Sequence, residues 1–458
     1  MTATTDDPRA RDRALRLLGG KITLPDHAGY DDARRAWNLA IDQRPAAVAR
    51  PESAEDVAET VRLARTLGLR VAAQGTGHNA APLGPLGDTV LVRTDRMRSL
   101  EIDPAARIAR VGAGVRSLEL VTAAASHGLA FLAGSSPDVG VVGYTLGGGL
   151  SWLGRSHGLA ANRVVAAELV TADGRLVRAD HAHEPELFWA IRGGGGAFGI
   201  VTALELELVP VSEVYAGILW WPLERGGEVL EAWAQLTRDD PPDELTTVGR
   251  YLRLPHLPAI PEPLRGGRFV VVEVIHAGDP AEADRRLAPL RSLAPLKDTV
   301  ATITTTALSH LHMDPDQPAP GSGDGLLLAE LPPDAVRELD RVAGAGSGSP
   351  LLSVEVRQLG GALARPAAAG GAASALDAAH ALYAVGLAPT PEAKEAVERH
   401  VRAVLEAMRR WAAPRMYLNF ADTRRDPATL WPEDVHRRLR ALKEAVDPDG
   451  VIRSNHPV

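Results

Sequence analysis

The stretch Val71-Ala-Ala-Gln-Gly-Thr-Gly-His-Asn-Ala80 constrains this chain more than any other. A short apolar run stops at Gln74 and hands the backbone to a Gly-Thr-Gly-His turn. Two glycines let consecutive N–H groups point the same way, a concave donor surface suited to an anion such as a pyrophosphate. The letters also match Gly-x-Gly-x-x-Ala, the dinucleotide fingerprint. That fingerprint has to open a helix whose N-terminus receives the phosphates. Here Ala81-Pro-Leu-Gly-Pro-Leu-Gly87 follows, with two prolines and two glycines. The turn therefore excludes a Rossmann-type NAD-dependent dehydrogenase and leaves His78 to be explained.

The surrounding chain is punctuated by further glycine runs. Gly112-Ala-Gly114 follows a strand at Ile108–Val111. Leu132 to Trp152 carries Gly147-Gly-Gly149, and Arg192-Gly-Gly-Gly-Gly196 leads into Gly199-Ile-Val-Thr and a strand. Adjacent glycines are costly in a turn but suit backbone pressed against a flat ligand. Val164–Val170, the turn Asp173-Gly174 and Leu176–Ala179 predict a hairpin. Ser53 predicts the N-cap of a helix, with Asp56 in the capping-box position. Beyond Val211 the texture changes to strands (216–221, 269–275, 299–306, 351–359, 382–387) alternating with helices (227–236, 282–290, 333–341, 391–411). That pattern predicts an α+β unit with a mostly antiparallel sheet. His312–Gly325 reads as a loop, Met416–Ala421 as a final strand and Glu433–Val446 as a final helix. Residues 1–43 read as a helical lead-in with an apolar patch at Leu15, Leu17 and Leu18.

With 458 residues the chain calls for two domains. A net charge of −8 argues against nucleic acid as a partner. The absence of cysteine excludes disulfides and thiolate chemistry. No apolar run has membrane length and the N-terminus is polar, so a cytoplasmic, membrane-free protein is expected. His181-Ala-His183-Glu184 and His310-Leu-His312 with Asp314 have ligand-like spacing but fall in turn-rich loops, and no metal site is expected from them.

The ordered set of motifs resembles the berberine-bridge-enzyme-like FAD-linked oxidases of the vanillyl-alcohol-oxidase (PCMH-type) superfamily. The residues that carry it are Arg50-Pro51, Gly75–Asn79, Pro137-Asp-Val-Gly140, Leu146-Gly-Gly-Gly149, Gly158-Leu-Ala, Thr171-Ala-Asp-Gly174, Leu187 to Thr202, Tyr417-Leu-Asn-Phe420, Asp447-Pro-Asp-Gly450 and Arg453-Ser-Asn455. Within 211–410, only Glu355 to Gly361 and the general pattern match.

The resemblance implies a two-part FAD-binding domain, 1–210 with a C-terminal return at 411–458, and a substrate domain at 211–410. It implies that FAD is held by Gly75, Thr76, Gly77, His78, Asn79, Ser136, Asp138, Val139, Gly143, Gly147, Gly148, Gly149, Gly199, Ile200, Val201 and Asn455. It places His78 on the flavin 8α-methyl. Where some members carry a cysteine for a second link, this chain has Ser136, so a single histidyl bond is expected. Val139 stands at the position the resemblance links to oxygen access, which favours an oxidase using O2.

The usual bases of the family are missing. Phe420 replaces a tyrosine, and Leu382-Tyr-Ala-Val-Gly386 is apolar where a Glu or Gln would stand; neither Phe nor Gly takes a proton. Alternation puts Ser353, Glu355 and Arg357 on one face of their strand, with Leu352, Val354 and Val356 on the other. Glu355 is then the first candidate for a base or for binding a substrate cation, against the alternative of a structural Glu355–Arg357 pair. Tyr417 and Asn419 share a face, and Tyr144 and Tyr383 are weaker candidates. The expected activity is hydride removal from a small organic substrate: an amine, an alcohol or a secondary-metabolite intermediate. Two other readings keep the flavin: a cyclase or isomerase without net oxidation, and a flavin-bearing binding protein whose substrate cavity is cut off.

Overall fold

The computed structural model describes Leu15 and residues 21–458 except 259. Leu17 and Leu18 of the expected apolar patch lie outside the described residues; Leu15 is buried. Among the described residues the strands form three sheets. The first runs in the order Ile22–Thr23, Ala47–Ala49, Thr89–Arg93, Arg70–Gln74, Ile452–Arg453. Its inner pairs are parallel, Val71 opposite Val90 and Ile452 opposite Val71. Parallel strands are covered on both faces, so they read as near-continuous apolar runs. Val48, Val71, Val90, Leu91 and Val92 are accordingly buried. Helix Ala54–Thr66 packs here; Ser53 caps it by accepting the Asp56 N–H at 3.2 Å.

The second sheet is antiparallel: Leu100–Asp103, Ile108–Gly112, Ile200–Glu207, Val164–Val170, Leu176–Ala179. The hairpin forms at Asp173-Gly174, with Val170 opposite Leu176. The third sheet has eight strands, all antiparallel. Its central order is Glu213–Pro222, Arg268–His276, Leu245–Arg253, Ser353–Gln358, His380–Leu387, Gly321–Leu328. Helices Gly226–Arg238, Pro280–Arg291, Pro333–Ala343 and Pro391–Met408 cover one face. Trp233, Leu287, Leu339 and Val401 share that core with Val354, Val356 and Leu382 of the strands. Glu355 and Arg357 therefore occupy the face away from the helices.

Two local expectations are corrected, and one strand that the sequence did not reveal is added. His312–Gly325 is not loop throughout, because Gly321–Leu328 is the strand beside His380–Leu387. Its glycines hid it: a Cβ on Gly325 would stand 2.8 Å from Phe420, and one on Gly323 would stand 2.7 Å from the Tyr383 hydroxyl. Leu245–Arg253 is a central strand whose polar sequence concealed it; at Gly249 a side chain would meet Trp233 at 2.7 Å. Met416–Ala421 is not a strand. The chain makes one bridge, Leu328 to Ala412, and then coils into a short turn at Leu418–Phe420. Among the described residues no helix is long and apolar enough to cross a membrane.

Candidate active site

The Gly75–Asn79 turn lies where the strand Arg70–Gln74 ends, and its residues line a cavity of about 330 Å3. The same cavity is walled by Phe131, Ser135, Val139, Arg357, Tyr417 and Phe420. It is one continuous space from His78 to Arg357. Of the residues assigned to FAD, Gly75, Thr76, Gly77, His78, Asn79, Ser136, Val139, Gly143, Gly147, Gly199, Val201 and Asn455 line it. Asp138, Gly148, Gly149 and Ile200 do not. Asp138 acts through His78, and Ile200 is core. A Cβ on Gly149 would stand 2.5 Å from Ala160, and one on Gly148 would stand 3.1 Å from Tyr417, so these two glycines let the wall close on itself. Gly112 and Gly114 likewise face Met97 and Thr94; the residue between them, Ala113, lines the cavity.

His78 is held on three sides. Trp37 stacks on its ring with centroids 4.1 Å apart and 18° between planes. Thr76 Oγ1 lies 2.8 Å from Nδ1, and Asp138 Oδ1 lies 3.2 Å from Nε2. Burial works to raise the Asp138 carboxyl, but hydrogen bonds from His78, Trp37 and Ser136 outweigh it and hold the group below its usual range. An ionised carboxylate only accepts, so Nε2 carries the ring proton and the Thr76 hydroxyl donates to Nδ1. Trp37 was missed from the sequence. It is reached because its N–H bonds the Thr76 carbonyl at 2.9 Å, a contact between distant segments.

Tyr417 and Asn419 are brought together by the short turn. The Asn419 amide donates to the Tyr144 carbonyl at 2.9 Å and to the Tyr417 hydroxyl at 3.0 Å. Leu150 N–H also donates to that hydroxyl, at 2.8 Å. Burial pushes the Tyr417 phenol well up, against the pull of those donors, so it stays protonated. Tyr144 lines the cavity, and its hydroxyl donates to the Leu132 carbonyl at 3.0 Å.

Glu355 does not line the cavity; Arg357 does. The sheet register sets Arg250 opposite Glu355 and Glu355 opposite Tyr383. Arg250 Nη1 lies 3.2 Å from Glu273, His312 Nδ1 lies 2.7 Å from Glu273, and Arg357 lies 2.9 Å from Glu355. His312 Nε2 approaches Glu355 Oε2 at 2.6 Å, but the oxygen is not aligned with a donor, so this contact is an ion pair rather than a directed hydrogen bond. Burial and Arg250 push His312 down, yet Glu273 and Glu355 outweigh them and lift it to about 9. Burial would raise Glu355, but Arg357 and His312 hold it well below the carboxylate range. The two ring nitrogens of His312 thus face two carboxylates on opposite sides, not a shared metal position. His183 bonds Asp180 at 2.9 Å, and His181 packs on Phe188.

The cavity accepts a flavin nucleotide. A Cβ at Gly143 or Gly196 would meet nothing within 4 Å, so both positions present bare backbone to the open space. The buried amide of Gln74 and Oδ1 of Asn79 have no hydrogen-bond partner among the described residues, and both residues line the cavity. A glycine-walled cavity with unpaired amides and a clamped histidine fits the flavin-dependent oxidoreductases that the motif set resembles. Known proteins agree. Residues 45–180 match the family model described as FAD binding domain. The chain is 30% identical over 454 residues to (R)-6-hydroxynicotine oxidase of Paenarthrobacter nicotinovorans, covering 96% of this chain and 97% of that one. The crystal structure of 6-hydroxy-D-nicotine oxidase from Arthrobacter nicotinovorans superposes with a TM-score of 0.78 at 28% identity, over 94% of this chain and 96% of that chain. Berberine bridge enzyme from Eschscholzia californica, at 20% identity, shares the fold with a TM-score of 0.81 over 98% and 99% of the two chains. The chain belongs to the berberine-bridge-enzyme-like family of FAD-linked oxidoreductases.

Proposed function

We propose that this enzyme is an amine oxidase whose FAD is bonded to the His78 ring alone and whose electron acceptor is O2. The observation that carries the reading is that, among the described residues, no Asp or Glu lines the cavity, and that burial pushes the lining His456 down to about 4, which makes it a poor proton acceptor. Phe420, which stands where the resemblance puts a tyrosine base, lines the cavity, and the Tyr417 phenol is held protonated. Removing a hydride from an alcohol requires a group to take the hydroxyl proton. A neutral amine needs none, because its nitrogen lone pair supplies the electrons as the hydride leaves. FAD, when bound, supplies the two-electron acceptor. The chain's part is to hold and orient. Thr76, Asp138 and Trp37 fix the His78 ring, with the Nδ1 lone pair as its nucleophilic position. Asn419 and Tyr417 brace the Gly147–Leu150 wall. Ser136 hydrogen-bonds Asp138 at 3.0 Å, where a cysteine would offer a second attachment. Support comes from the full-length relative, whose named substrate, 6-hydroxynicotine, is a cyclic amine. A flavin carrier without turnover would need its substrate space cut off, whereas here His78 and Arg357 share one cavity.

The test is peroxide formation by the purified holoenzyme with panels of secondary and tertiary amines, alcohols and oligosaccharides. Amines are expected to turn over. With them, kcat/KM should rise with pH to a plateau set by each substrate's own amine pKa. Peroxide from alcohols or sugars alone, or one pH midpoint shared by all substrates, overturns the reading.

A further inference from the structure

We infer that Arg357 is the substrate-recognition group of this cavity, and that it selects amines carrying an anionic oxygen, a carboxylate or a phenolate. The inference rests on the amine-oxidase reading of the same site and adds the class of substrate. Sequence alternation offered Glu355 as a ligand for a substrate cation. The structure inverts that charge: Glu355 is 2% exposed and lies behind Arg357, so the side chain that meets the cavity is a guanidinium.

Its donors are divided in two. Nε donates to Glu355 at 2.9 Å, and Nη2 reaches Ser135 Oγ at 3.2 Å as well as Glu355. Nη1 has no protein partner among the described residues. The guanidinium carbon lies 5.3 Å from the Trp152 ring centre and 5.2 Å from that of Phe420, so two aromatic rings fix the plane of the fork. A planar fork held in place loses little further entropy when it takes an oxygen ligand, which suits it to carboxylates.

The carboxylates behind it, Glu355, Asp314 and Glu273, keep Arg357 charged against its burial. Glu355 is shared with His312, and Glu273 is shared between His312 and Arg250. Arg357, His312 and Arg250 thus share two buried carboxylates, with Asp314 as a third, partly exposed one. The nearest further carboxylate, Asp314, lies 3.9 Å from His312, is 30% exposed, and takes the Ser135 hydroxyl at 2.8 Å. An anion entering the cavity meets a positive group in a buried, low-dielectric wall, with no lining carboxylate among the described residues to repel it. Arg453, at the other end, is already committed to the Leu83 carbonyl and Asp88.

The test uses the flavin-bearing enzyme and reads the shift in flavin absorbance on titration with benzoate, 4-cyanophenolate and neutral benzamide. At least one of the two anions should bind wild type more than tenfold tighter than benzamide, and which one does so identifies the oxygen. Arg357→Met should weaken that anion by about 10- to 100-fold, the worth of a hydrogen bond to a charged group, and leave benzamide unchanged. Arg357→Lys should recover part of the loss. Equal binding of both anions and benzamide to wild type overturns the inference, as does an unchanged anion-to-benzamide ratio in Arg357→Met. If that variant does not fold, the wild-type ratio still decides. Failure of the amine-oxidase reading looks different: the anion preference persists, but amines give no peroxide.

Discussion

Replacing Glu355 by glutamine separates a structural carboxylate from a chemical one. The native side chain is 2% exposed and sits between Arg357 at 2.9 Å and His312 at 2.6 Å. Glutamine keeps the shape and one acceptor but removes the charge, leaving Arg357 and His312 with Glu273, which Arg250 shares, and the partly exposed Asp314. Breaking a buried pair from one side costs about 3–5 kcal/mol, and the retained acceptor argues for the lower end. At about 3 kcal/mol, a domain of this size should lose roughly 6–12 °C in Tm. Scanning calorimetry of both holoenzymes at one scan rate and at pH 6.5 reads this directly, since His312, ordinarily at 6.5 and lifted here to about 9, is still charged there. Turnover with amines should persist at reduced kcat/KM, because Glu355 does not line the cavity. A Tm change below about 2 °C combined with abolished turnover would refute the reasoning and restore Glu355 as a base.

Two further outcomes follow from the same geometry. A pKa raised on folding means that the protonated form is stabilised. The His312 contribution is therefore fully present below pH 6.5 and lost as pH rises through about 9. Wild-type Tm should fall across that window, and His312→Gln should flatten the fall; parallel profiles would contradict it. In Gly147→Ala the new Cβ would stand 1.7 Å from Asn419 Oδ1, so Asn419 must leave the Tyr144 carbonyl and the Tyr417 hydroxyl. Losing those bonds costs about 1–3 kcal/mol for each buried group left unpaired, and the flavin-to-protein ratio of the purified variant should drop; full occupancy would contradict it.

What the sequence disclosed follows a physical pattern. The Gly75–Asn79 turn, the hairpin at Asp173-Gly174 and the helix Glu433–Val446 are local: turn residues, caps and apolar periodicity sit within a few positions of one another. The strands Leu245–Arg253 and Gly321–Leu328 were hidden because their glycines answer to Trp233, Tyr383 and Phe420, which come from elsewhere in the chain. The same holds for the site. His78 was legible through its turn, but Trp37 over it was not. Glu355 and Arg357 were legible as one face of a strand, yet which of them meets the cavity depends on His312 and Glu273, brought in by a loop and by the register of a different strand. His312 had drawn notice only for metal-like spacing, and its two nitrogens turned out to serve two separate carboxylates.

The proposed single bond from His78 to FAD can be tested directly. The direct measurement is the fate of the flavin after acid precipitation, read by absorbance of pellet and supernatant and by mass of the proteolytic peptide that contains His78. The flavin should stay with the pellet, that peptide alone should carry the added mass of FAD, and His78→Ala should release its flavin to the supernatant. FAD recovered intact in the supernatant from wild type, or flavin mass on the peptide containing Ser136, would contradict the account.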